Sequence, residues 1–191
     1  MNFLHCLSIV MLILTSQVVS ASDWKYGGMT KSGNDTDIVF YDNSSIIRTS
    51  TVTRFWIKSI SLKKLNAYSA QKSRRSQLID ASATKIAQGY IPAFLGLKSV
   101  RAASKSDIEF KDRVATVILW EVIANNHDIK MSSRFCFEIN CDQKMIRAVE
   151  GDLFDNQGNV KPKQGPMNQE WGFIAPDTTS AWWSELVCLP K

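Results

Sequence analysis

The chain has 191 residues, 45% of them hydrophobic, and a formal net charge of +5. It holds two histidines, His5 and His127, and four cysteines, with no Cys-x-x-Cys pair. This excludes the ordinary zinc-ligand sets, and no Ser–His–Asp triad can be assembled without His127.

Residues 1–21 carry no Lys, Arg, Asp or Glu, and the run from Leu7 to Leu14 is apolar except for Ser8. Val19-Ser20-Ala21 is a small-residue cleavage site. The pattern predicts a secretory signal peptide, because the apolar run is too short to span a bilayer. Cys6 lies on the wrong side of that run to accept a lipid. The expected mature chain is one domain, residues 22–191, long enough to bury a core. Its location would be the periplasm, the cell surface or the medium.

Trp24-Lys25-Tyr26-Gly27 opens a strand, and Ser32 to Asp35 reads as a turn. Asp37 to Tyr41 is a second strand, Asp42 to Ser45 a second turn, and Ile46 to Arg48 a short third strand. Val52 to Ile60 alternates with apolar residues on both parities, which predicts a central strand. Ile79, Ala83, Ile86 and Tyr90 then follow helical spacing, stopped by Gly89 and Pro92. Ser106-Asp107-Ile108-Glu109 is a capping box, and the apolar residues from Phe110 to Ile118 predict a second long helix despite the Val and Ile content beyond Val114. Residues 62–130 thus form a helical insertion between two groups of strands.

Met131 to Asn140 and Lys144 to Phe154 are further strands. Asp155-Asn156-Gln157-Gly158 is a hairpin turn, with Val160 to Gln164 returning. Trp171 to Ile174 is the last extended segment, and Thr179 to Val187 a C-terminal helix with Trp182 and Trp183 on its apolar side. Adjacent helical positions diverge, so one of these two tryptophans is expected to be the least buried of the six. The fold class is therefore α+β: an antiparallel sheet, a C-terminal helix and the helical insertion.

Three cysteines follow residue 21. Cys136 and Cys141 are five apart in a strand-like run and point to opposite faces, so they should not pair with each other. A Cys141–Cys188 disulfide would tie the C-terminal helix to the sheet. It would close a loop of 47 residues, worth roughly 4 kcal/mol in the chain-entropy model.

Several motifs together carry a resemblance. They are Tyr41 to Ile47, Phe55-Trp56-Ile57, Glu138-Ile139-Asn140-Cys141, Phe154 to Gly158, Trp171-Gly172-Phe173-Ile174-Ala175-Pro176 and the final Cys188. In this order the chain resembles the bacterial surface-adhesin protein E family over about residues 23–61 and 130–188. The resemblance implies an antiparallel sheet with a C-terminal helix pinned by the Cys141–Cys188 pair. It also implies export in a Gram-negative bacterium and non-enzymatic binding of a host extracellular protein. The chain departs from the family in having Asp177-Thr178 after the proline and no lipoprotein cysteine after the leader.

Two functional classes follow. The first is an exported adhesion or binding module without a cofactor. The second is a periplasmic enzyme or enzyme inhibitor using a cleft near the insertion, with His127 as the lone candidate base. Glu150 and Asp152 share a strand face and read as a solvated pair, and Cys136 as a free thiol. Between Leu62 and Lys105, nine Lys and Arg face Asp80 alone. Lys72, Arg74 and Arg75 lie within one helical turn there, and read either as a solvated helix or as a docking patch for an anionic envelope or host component. Nucleic acid is the least expected partner of an exported chain.

Overall fold

The computed structural model describes residues 22–32, 35–90, 107–125, 129–162, 167 and 169–188. The expected leader and His127 lie outside them. The frame is a seven-stranded sheet in which every pairing is antiparallel: β1 (Trp24–Ser32), β2 (Asp35–Asp42), β3 (Ile47–Arg48), β4 (Val52–Ser61), β5 (Ser133–Asn140), β6 (Met145–Leu153) and β7 (Gly172–Phe173). Its order is β1-β2-β4-β5-β6-β7, with β3 alongside β4. β4 is central, as its two apolar parities require. The helices are α1 (Leu62–Ser69), α2 (Lys72–Ala87), α3 (Asp107–Ala124) and α4 (Thr179–Cys188).

Strand parity divides the core between the two faces of the sheet. Ile38, Phe40 and Ile60 point to one face, where they pack with Leu65 and Tyr68 of α1, Leu78 of α2 and Val114, Val117 and Ile118 of α3. Val39, Tyr41, Phe55, Ile57 and Ile139 point to the other, against Trp182, Trp183 and Val187 of α4. The fold is thus α+β, with the helical insertion on one face and the C-terminal helix on the other. Cys141 and Cys188 are disulfide-bonded, with their Cα atoms 5.7 Å apart, and Cys136 is buried and free.

On the insertion face, α3 also seals the outer edge of β1. Asn125 accepts from the backbone N–H of Trp24 and donates to its carbonyl, both at 3.0 Å. Glu121 accepts from the N–H of Tyr26 at 2.8 Å. These side chains occupy the hydrogen-bonding positions of a missing neighbour strand at Trp24 and Tyr26, which blunts the edge there. Burial pushes the Glu121 carboxyl up, against the opposing pull of its bonds from Tyr26 and Tyr90.

Some expectations are corrected in detail. The helix through Ile79, Ala83 and Ile86 exists, but that stripe is its outer side: Leu78 and Ser82 are buried, whereas Ile79 and Ile86 are exposed. The inward line of α2 is the one through Leu78, which packs in the core with Val114, Val117 and Ile118 of α3. Trp182 and Trp183 are each only 6% exposed, so neither is the exception. Helix α4 packs on a curled sheet, which covers more of its circumference than a flat surface would. The last strand is two residues long. Val160 forms a bridge to Phe154, and residues 163–164 of the expected return lie outside the described residues.

Candidate functional site

Register shows how α4 leaves half of its face uncovered. Successive rows across the sheet on that face are Thr53–Ile139–Ile146, Phe55–Phe137–Ala148, Tyr41–Ile57–Phe135–Gly151, Val39–Ser59–Ser133–Leu153 and Asp37–Ser61. The rows change from apolar through hydroxyl to acidic along the strands. Helix α4 covers the apolar end: Trp183 sits 6.1 Å from Phe55 and 5.5 Å from Phe137 between ring centroids. Its indole N–H donates to the Gly27 carbonyl at 3.0 Å, which fixes the ring as an end wall. That contact comes at a β-bulge, where the register shifts between Tyr26 and Gly28 and Gly28 takes φ +115°, a conformation that favours glycine.

Beyond Trp183 the face is an open cleft of about 950 Å³. Its floor is Val39, Ile57, Ser59, Ser133, Phe135 and Phe137. Leu153, Phe154, Asn156 and Lys161 form one side, Thr30, Asp35 and Asp37 the other, and Lys63, Lys64 and Ala67 of α1 the far end. Helix α1 follows β4 without a break, so Leu65 and Tyr68 enter the insertion-side core while this other side of the helix closes the cleft. The floor is wide because β6 has glycine opposite Phe135: a Cβ on Gly151 would lie 2.0 Å from the Phe135 ring. Any larger residue would force that ring out of its place on the sheet.

The polar groups of the floor are satisfied locally. Ser59 and Ser133 share a hydrogen bond of 2.8 Å between hydroxyls. Burial raises the Asp37 carboxyl, as does the neighbouring Asp35, and Lys64 opposes both. A second hollow, lined by Lys64, Lys130 and Asn156, adjoins the cleft through the residues they share. There Lys130 donates to the Gln157 carbonyl.

On the insertion side, the part of the sheet beyond the helices carries a charge ladder. Arg54, Glu138 and Arg147 face one another across β4, β5 and β6. Glu138 accepts from Arg54 Nε at 2.9 Å and from Arg147 Nε at 2.8 Å. Burial alone would raise the Glu138 carboxyl, but the two guanidinium donors outweigh it and hold it below the ordinary value. Arg147 also lies 4.6 Å above the Trp171 ring. One carboxylate thus clasps two guanidinium groups from the neighbouring strands.

The residues singled out from sequence are dispersed. Lys72, Arg74 and Arg75 lie in the first turn of α2, with their side chains outside the described set. Glu150 and Asp152 share a face of β6, opposite Cys136 and Arg134, and Asp152 is 3.7 Å from Arg134. Burial pushes the Cys136 thiol up, so it is a poor nucleophile. Among the described residues no group of three or more His, Cys, Asp or Glu comes together, and no helix is long and apolar enough to cross a membrane. The cleft residues were missed, although their signal was present: Phe55, Ile57, Ser59, Ser61 and, in reverse, Ser133, Phe135, Phe137, Ile139 record the same gradient on two strands.

Fold and cleft together define a sheet-and-helix domain with an amphipathic open face. No family model, curated protein or solved structure matches the chain.

Proposed function

We propose that this chain is an exported, non-enzymatic binding module of the surface-adhesin kind, and that the cleft on the α4 side of the sheet is where it takes its ligand. The observation that carries the reading is the concave cleft with an apolar floor. Phe135 and Phe137 are partly exposed beside the buried Val39 and Ile57, and Leu153 is 52% exposed. Such a concave, preformed surface with a few placed polar groups is the usual form of a ligand site. The leader pattern and the resemblance to the surface-adhesin protein E family support export and a partner outside the cytoplasm: a host extracellular protein or an envelope component.

The start of the insertion, Lys63, Lys64 and Ala67, closes one end of the cleft, and an enzyme or inhibitor reading would place its site near the insertion. The hydroxyl pair of Ser59 and Ser133 is the chemistry that reading has to work with, and it lacks an adjacent base among the described residues.

Two measurements test the proposal. Mass spectrometry of the protein recovered from a Gram-negative host should find a mature chain starting at Ser22 in the periplasm or beyond. Binding to immobilised extracellular-matrix proteins and envelope extracts should fall in Leu153→Glu, which puts a charge on the cleft. A chain retained in the cytoplasm with residues 1–21 intact, or binding indifferent to Leu153→Glu, would overturn it.

A further inference from the structure

We infer that the cleft takes a single-chain amphiphile with a monoanionic head, of the fatty-carboxylate type, its tail directed toward Trp183. This names a ligand class for the cleft and rests on reading the cleft as a ligand site.

The direction follows from the rows of the floor. At the inner end Ile57, Phe135 and Phe137 offer no hydrogen-bonding side chain, and the Trp183 N–H is already given to Gly27. A peptide or sugar laid there would bury polar groups without partners, which is costly; an alkyl chain has none to bury. Further along, the Ser59 and Ser133 hydroxyls bond to each other and make no demand on a passing methylene chain. The outer end is different. Lys63 and Lys64 at the end wall and Lys161 on the side stand against Asp35 and Asp37. Among the described lining residues, three ammonium groups against two carboxylates leave one positive charge. None of the three lysines is held in an ion pair with a described residue. A carboxylate supplies the single negative charge that balances this mouth. A dianionic phosphate would be left half-compensated, and a cationic head would meet the surplus lysine.

The test is calorimetric titration of the exported chain with dodecanoate, dodecyltrimethylammonium and dodecyl maltoside, each below its micelle concentration. Dodecanoate should bind one per chain and more tightly than the other two. Replacing Lys63, Lys64 and Lys161 together with Gln, none of them buried, turns the mouth from one net positive charge to two net negative ones and should weaken dodecanoate by at least about tenfold. Leu153→Glu should abolish it, with circular dichroism confirming that both variants are folded. Equal binding of all three amphiphiles, or dodecanoate binding unchanged in the lysine variant, overturns the head assignment while leaving the cleft as the site. Dodecanoate binding unchanged in Leu153→Glu overturns the cleft as the site. Failure of the wild type to bind dodecanoate overturns the inference alone, since the loss of envelope or matrix binding in Leu153→Glu reports on the cleft separately.

Discussion

The two faces of the sheet are built to opposite ends. On the insertion face, three helices cover β1, β2 and β4, and even charged groups are drawn in and satisfied. Glu121 is 1% exposed and bonded to Tyr26 and to Tyr90. Lys58 donates to the Ala124 carbonyl and lies 4.3 Å above the Trp24 ring. On the other face a single helix, held by one disulfide, covers only the apolar rows. The lesson is that how much of a face is covered, more than its hydrophobicity, decides which face is free to act. Both carry an aromatic core, but the α4 side alone pairs it with an open cleft of about 950 Å³ floored by Phe135 and Phe137.

That contrast can be broken first by truncating the two ends of the same face. Phe55 lies under α4 at 0% exposure, and Phe55→Ala should cost about 3–5 kcal/mol in denaturant unfolding. Leu153→Ala, in the open cleft, should stay within about 0.5 kcal/mol of the wild type. Equal losses would mean the cleft is as tightly packed as the covered end. Next in size, Cys188→Ser frees α4 from the sheet across a separation of 47 residues and should cost about 2–4 kcal/mol. Thermal melts of the variant and of the reduced wild type should agree.

The insertion face can be tested by pH. Glu121 has its folded carboxyl raised by burial, so the folded chain holds that proton more tightly than the unfolded one. Stability from this group is greatest in acid and declines as pH rises from the ordinary carboxyl value of 4.5 toward the raised one. Glu121→Gln keeps an acceptor for Tyr26 and should flatten that decline. Lys58 is brought down from 10.5 to about 8 by burial. Between those values the unfolded chain binds the proton more tightly, so stability rises with pH across the window. The smallest expected change is the loss of this alkaline rise in Lys58→Met; a rise that persists would place its origin elsewhere.

Much of the fold was legible because it depends on local pattern. The two parities of Val52–Ser61 announce a central strand, and the capping box at Ser106 announces α3. The disulfide followed from strand parity together with the order of motifs. Placement on a face was less legible. Ile79 and Ile86 outnumber Leu78 in any count of apolar spacing, yet α2 turns Leu78 into the core with α3 and leaves Ile79 and Ile86 exposed. Trp182 and Trp183 looked incompatible until the curl of the sheet was known. The cleft escaped attention because no single residue marks it. It arises from the register that puts Ser59 beside Ser133 and Gly151 beside Phe135, and register between distant strands is set by tertiary pairing.

The central claim is that the half-covered face is the one that binds. Methyl-resolved NMR during titration with dodecanoate tests it most directly, because neighbours in one strand report on opposite faces. The account predicts saturable shifts for Val39, Ile57 and Leu153, with Ile38, Ile60 and Ile118 unmoved. Shifts confined to Ile79 and Ile86 on the outer side of α2, with Val39 and Ile57 silent, would contradict it and move the binding surface to the insertion.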